Sequence, residues 1–176
     1  LIDPQRNVDI YINEARSFGV DITHIFHTHL HADFISGHLD LAHKTGAMIY
    51  VPKAAQCSFD HIGLSEGDTV SIENMVIRVL ETPGHSDCSL SFHEPSRKIL
   101  IISDATGYYL PEQEFWWHCY FTDYGAYLAS ITGLAELNAR ALCLSHNGVI
   151  RGAEDVAAYL QGAIDATESY HERIVN

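Results

Sequence analysis

Within five residues, His29-Leu30-His31-Ala32-Asp33 gathers three side chains of the types that bind metal ions. Residues two apart in an extended segment point to the same side, so His29, His31 and Asp33 can converge on one point. Imidazole nitrogen combined with carboxylate suits zinc, iron or manganese, whereas calcium takes oxygen donors alone. His27 continues the same alternating row, so spacing alone leaves the register open. Asp33, two residues beyond His31, sets the start of the motif at His29.

Three further places carry such a residue where a strand-like run gives way to a loop. Met75 to Leu80 runs into Thr82-Pro83-Gly84-His85-Ser86, where Pro and Gly predict a sharp turn with His85 at its tip. Ile99 to Ile102 reads as a buried strand closed by Ser103-Asp104. Ala141 to Leu144 repeats that pattern and is closed by Ser145-His146-Asn147-Gly148. One carboxylate or imidazole at each strand end is the pattern of a single site assembled from several strands.

Thr28-His29-Leu30-His31-Ala32-Asp33, Thr82-Pro83-Gly84-His85-Ser86, Ser103-Asp104 and Ser145-His146 resemble, in order and approximate spacing, the motifs of the metallo-β-lactamase superfamily. The resemblance covers most of the chain. It implies an α/β (α+β) fold, a four-layer αββα sandwich with the metal site at one edge between its sheets. Matched residue by residue, it implies that His29, His31 and His85 hold a first metal, that Asp104 bridges, and that Asp33 and His146 hold a second. The implied cofactor is zinc, one or two ions. Superfamily members normally have several strands before the point where this sequence opens with Leu1-Ile2-Asp3-Pro4. The first N-terminal strands are therefore expected to be short or missing, and an exposed edge would favour a homodimer.

One position departs from the pattern. Hydrolytic members usually follow the motif Asp with a His that binds the second metal, and here Phe34, which cannot coordinate, stands there. The stretch from Thr28 to Val51, with His31-Ala32-Asp33-Phe34-Ile35-Ser36-Gly37-His38, is most similar to the persulfide dioxygenases of the superfamily. That resemblance implies one iron(II) held by His29, His85 and Asp104. Gly107-Tyr108-Tyr109 through Trp116-Trp117-His118 and Asp123-Tyr124 resemble instead the superfamily's general hydrolases.

The chemistry expected of such a site is hydrolysis. An ion held by neutral imidazoles lowers the pKa of bound water from ~15.7 towards ~7, and the hydroxide can attack a small thioester, lactone or ester. Asp33 or Asp104 can orient it and take its proton. The alternatives are a mononuclear iron dioxygenase acting on glutathione persulfide and a non-catalytic, degenerate metal-binding module. Thr28, Ser86 and Ser145 are candidates to hold the histidine tautomers. Tyr108, Tyr109, Trp116, Trp117, His118 and Tyr120 are expected to form an aromatic-rich loop after Asp104, with two readings, a wall for an apolar substrate group or a cover for the core. His24, His38, His43, His61, His93 and His171 show no partner spacing and are expected on the surface or in the core.

The elements that must position these residues follow from pattern and punctuation. Asn7 can cap a helix ended by Gly19, followed by a strand over 22–27, a helix over 34–44 stopped by Gly46 and a strand over 48–51. Short polar breaks predict two hairpins, 69–72 with 75–80 and 89–93 with 99–102. Helical spacing covers 124–137 and 154–174. With 176 residues, 47% hydrophobic and 19% charged, the chain can bury a core without disulfides, and one domain over 1–176 is expected. A net charge of −13 with scattered Lys and Arg argues against nucleic acid. No apolar run approaches the ~18 residues of a membrane span. Cys57, Cys88, Cys119 and Cys143 form no Cys-x-x-Cys pair and, with no signal-peptide pattern, suggest the reducing cytoplasm. Cys88 and Cys143 are expected in the core.

Overall fold

The computed structural model describes residues 1–146 and 148–176, which fall into two units, Leu1–Leu64 and Ser65–Asn176. In the first unit, α1 (Asp9–Phe18) precedes β1 (His24–Phe26), and α2 (His38–Thr45) links β1 to β2 (Met48–Pro52) before β3 (Ile62–Leu64). The three strands are parallel in the order β1-β2-β3, with Ile25 opposite Ile49. Ile25, Ile49 and Val51 turn inward onto Val8, Leu41 and Ala47 to form this unit's core. Complete burial of a side chain such as Ile25 or Leu41 stabilises by about 1.5–3 kcal/mol.

Packing, not capping, sets two boundaries that sequence patterns place elsewhere. Asn7 does not cap α1; Val8 occupies that position, without a side-chain cap bond, because it is drawn into the core. The second helix begins at His38 and not at Phe34. Residues 34–37 are tied instead to the N-terminal segment: Ser36 bridges Gln5, and the Gly37 amide donates to the Pro4 carbonyl at 3.0 Å. A Cβ at Gly37 would collide with Val8 Cγ1 and the Gln5 carbonyl, so only glycine permits this approach. Phe34 is thereby held on a loop.

The second unit contains β4 (Thr69–Ile72), β5 (Met75–Glu81), β6 (Leu90–Glu94), β7 (Ile99–Ser103), β8 (Tyr108–Leu110), β9 (Phe115–Trp117), α3 (Tyr124–Glu136), β10 (Ala141–Leu144), β11 (Val149–Arg151) and α4 (Ala153–Val175). Six strands form a sheet in the order β11-β10-β7-β6-β5-β4. Both expected hairpins are present, β4 with β5 and β6 with β7. β6 is antiparallel to both β5 and β7, and β10 runs parallel to β7. The carboxyl ends of β5, β7 and β10 therefore leave from the same edge of the sheet. Leu100, Ile102 and Leu142 pack with Tyr127, Ile131 and Leu134 of α3 and Leu160 of α4. Asp123 caps α3 by accepting the Ala126 amide at 2.6 Å.

Two other expectations change. Tyr108 to Trp117, expected as loop, is largely the hairpin β8–β9. Cys88 and Cys143 are only half-buried, and Cys119 is the buried thiol. Among the described residues no helix is long and apolar enough to cross a membrane.

Candidate metal centre

In the first unit the motif loop follows β1, and Asp3 lies beneath it. The Thr28 amide and hydroxyl donate to the two oxygens of the Asp3 carboxylate at 2.9 and 2.7 Å. His31 Nε2 is 3.0 Å and His27 Nδ1 3.5 Å from Asp3 Oδ1. Burial works against ionisation of Asp3, but the bonds from His27, His31 and Thr28 outweigh it and hold its pKa below the usual carboxylate range.

Thr28 passes this order to His29. Its hydroxyl proton is committed to Asp3, so Thr28 Oγ1 accepts from His29 Nδ1 at 3.0 Å. That places the His29 proton on Nδ1 and the lone pair on Nε2, the tautomer a metal ligand needs. His29 and His31 have ring centroids 4.1 Å apart. Asp33 is largely solvent-exposed, 3.8 Å from His31 Nδ1. Phe34 lies against His31, rings 4.3 Å apart, and lines a cavity of about 190 Å³ with His27, His38, Cys57 and Phe59.

In the second unit, His85, Asp104 and His146 lie on the loops that follow β5, β7 and β10. His85 Nε2 is 3.6 Å from Asp104 Oδ2, and His146 Nε2 is 3.7 Å from Asp104 Oδ1. His85 Nδ1 donates to the Cys119 carbonyl at 2.8 Å, so Nε2 again carries the lone pair. Ser145 donates to Asp104 Oδ1 at 2.5 Å. Of the serines expected to orient histidines, Ser145 instead orients the carboxylate, and Ser86 bonds to Ser89. Ser103, directly before Asp104, has a φ of +47°, and the pairing of β7 with β10 shifts register at Cys143/Leu144. A positive φ in a non-glycine residue and a bulge both commonly mark functional strand ends. Asn147 lies outside the described residues.

The aromatic hairpin has two faces because strand side chains alternate. Tyr109 and Trp116 pair across it and turn to the core, where Trp116 meets Tyr159 of α4 at 4.9 Å. Tyr108 and Trp117 pair on the other face, with the Tyr108 ring 4.8 Å from His146. Trp117 is half-exposed.

These motifs, in this order on these strand ends, have counterparts in known proteins. Residues 2–146 match the model of the metallo-beta-lactamase superfamily. The chain belongs to that superfamily. Among its relatives is a hydroxyacylglutathione hydrolase of Erythrobacter litoralis, 31% identical over 97 residues, which are 54% of this chain and 38% of the relative. Another, from Maricaulis maris, is 30% identical over 101 residues, 56% of this chain and 40% of the relative. The match thus spans about two fifths of these curated relatives' length. The solved structure of ETHE1 from Myxococcus xanthus is 25% identical, with a TM-score of 0.72, covering 95% of this chain and 78% of that one. The fold is the mixed α/β fold of metallo-β-lactamases, as the motif order implies.

Membership of the superfamily implies a divalent metal. Each unit offers donors of that chemistry: in the first His29, and in the second His85, is held in the tautomer with Nε2 as the acceptor, and Asp104 of the second faces the imidazoles of His85 and His146. Asp3 was missed as a functional residue, because its only sequence signal is its place at the end of an apolar pair.

Proposed function

We propose that this chain is a metal-dependent hydrolase of a small thioester, lactone or ester. The observation that carries this reading is the pair of fixed tautomers, His29 through Thr28 and His85 through the Cys119 carbonyl. Imidazoles that only pack or solvate have no need of a fixed tautomer, whereas ligands do. The assignment of His29, His31, His85, Asp104, Asp33 and His146 as ligands rests on the superfamily's motif order along the chain. A divalent ion held there supplies Lewis acidity and a water of lowered pKa.

The residues of the chain supply the rest. Asp104, oriented by Ser145, positions the attacking water and receives its proton at the carboxylate, with Asp33 as the second carboxylate within the motif. Tyr108 and Trp117 offer an apolar face beside His146 for the acyl or thiol arm of the substrate. The hydroxyacylglutathione hydrolase relatives support thioester chemistry. Purified protein loaded with zinc should turn over a thioester or lactone panel, and His85→Ala should lower kcat/KM by at least ~10²-fold, in line with losing a ligand or its support. Full activity in that variant would refute the assignment.

A second reading is favoured by Phe34 and by the likeness to ETHE1: a mononuclear iron enzyme oxidising glutathione persulfide with dioxygen, its iron held by His29, His85 and Asp104. Oxygen uptake with glutathione persulfide by anaerobically iron-loaded protein, without hydrolysis by the zinc form, would establish it over the first.

A further inference from the structure

The motif row holds one imidazole more than the superfamily pattern uses. His27 is buried, and it does not point idly into the core: with His31 it faces a single carboxylate oxygen, Asp3 Oδ1. We propose that Asp3, His27 and His31 form a metal site of their own, taking a first-row divalent ion such as Zn²⁺ or Fe²⁺. Two imidazoles with one carboxylate is a donor set both ions accept.

The spacing suits an ion. Donors at ~2.1 Å from a metal stand about 3.0 Å apart in octahedral and about 3.4 Å apart in tetrahedral geometry. The two separations from Asp3 Oδ1 are 3.0 Å to His31 and 3.5 Å to His27, and one ligand atom from each of the three residues lies within 4.8 Å of the others. The carboxylate is already fixed before any ion arrives. Thr28 anchors both of its oxygens, and Asp3 sits at a φ of +46°, in the left-handed region that Asp tolerates better than most non-glycine residues. His27 and His31 also line a cavity of about 190 Å³.

His31 serves one ion at a time: a neutral imidazole has a single lone pair, so binding through Nε2 beside Asp3 puts its proton on Nδ1, which faces Asp33, and the catalytic ion is then held by the other ligands proposed for it. Where Phe34 removes a donor on the Asp33 side, His27 adds one on the Asp3 side.

The test is metal content by mass spectrometry and Co²⁺ absorption titration, against a chelator of known affinity, on the full chain stripped and reloaded with one metal at a time. His85→Ala/Asp104→Asn disables the ligands proposed for hydrolysis, and His27→Asn disables this site. The double variant should retain about one ion per chain and lose it when His27→Asn is added, with at least ~100-fold weaker Co²⁺ binding. Asp3→Asn should act like His27→Asn, which keeps the test open if one of them unfolds. Metal content that is abolished by His85→Ala/Asp104→Asn, or untouched by both His27→Asn and Asp3→Asn, overturns the proposal. The former result leaves the hydrolase reading intact, and retention of the ion with loss of turnover supports both.

Discussion

Gly84 is the position where a single methyl group should do most damage. It has a φ of +119°, and a Cβ there would meet Tyr127 N at 2.5 Å and Tyr127 Cα and Cβ closer still. Tyr127 is a fully buried residue of α3 and the clash is with its backbone, so it cannot give way as a flexible side chain would. Backbone strain of about 1–3 kcal/mol then adds to an overpacking penalty of about 1–3 kcal/mol, giving roughly 2–6 kcal/mol for Gly84→Ala. Relief by moving the loop is not free either. The Gly84 carbonyl accepts from the Phe121 and Thr122 amides at 3.0 and 3.1 Å, and His85 follows directly. Urea unfolding followed by circular dichroism measures the loss. Gly133→Ala is the matched control, since a Cβ there meets nothing within 4 Å inside α3 and should stabilise by about 0.5–1 kcal/mol. A Gly84→Ala protein destabilised by less than about 1 kcal/mol, with zinc content unchanged, would show that the close approach to Tyr127 is not a constraint.

Phe34→His should raise zinc stoichiometry under limiting metal, and it should lower apo stability by about 1–2 kcal/mol because a half-buried ring is lost; unchanged stoichiometry in folded protein would mean that the side chain cannot serve Asp33's metal. The two faces of the aromatic hairpin should separate: Trp116→Ala should cost about 2–4 kcal/mol of stability, whereas Trp117→Ala should stay within ~1 kcal/mol yet raise KM for apolar substrates, and equal effects in both assays would dismiss the division. His93 in β6 has its pKa lowered, first by burial and then by Arg78, with Glu94 opposing. The unfolded chain therefore binds the extra proton first, and stability should decline as pH falls below the ordinary ~6.5. His93→Gln should flatten that decline in urea midpoints between pH 7.5 and 5.5; parallel curves for the two proteins would refute the assignment.

The parts of the site legible in the sequence are those written in local pattern. Apolar runs closed by Pro-Gly-His, Ser-Asp or Ser-His place His85, Asp104 and His146 at strand ends, and the sheet order then brings those ends to one edge. What supports them was not legible, because it is made by groups every residue has or by partners distant in the chain. The orienting acceptor for His85 is a backbone carbonyl 34 residues away, and Thr28 finds Asp3 across 25. Spacing alone leaves the register of His27 open, because its partner Asp3 lies 24 residues away in the chain. The β8–β9 hairpin escaped because strands of three residues are too short to show a period of two.

Local preference and tertiary demand conflict in the same small set of residues, which is where function is expected to reside. Ser103 takes a left-handed φ although any glycine would do so more cheaply, and the strand beside it shifts register one residue before Ser145. An isolated strand end would relax both distortions; here Asp104 is held between His85 and Ser145, and relaxing the backbone would break those contacts. The first unit shows the same logic with the opposite means. Gly37 gives up its side chain so that residues 34–37 can follow the N-terminal segment, which keeps Phe34 against His31 and Asp3 beneath the motif. At Ser103 the left-handed backbone costs about 1–3 kcal/mol, and what it secures is the placement of Asp104 between His85 and Ser145.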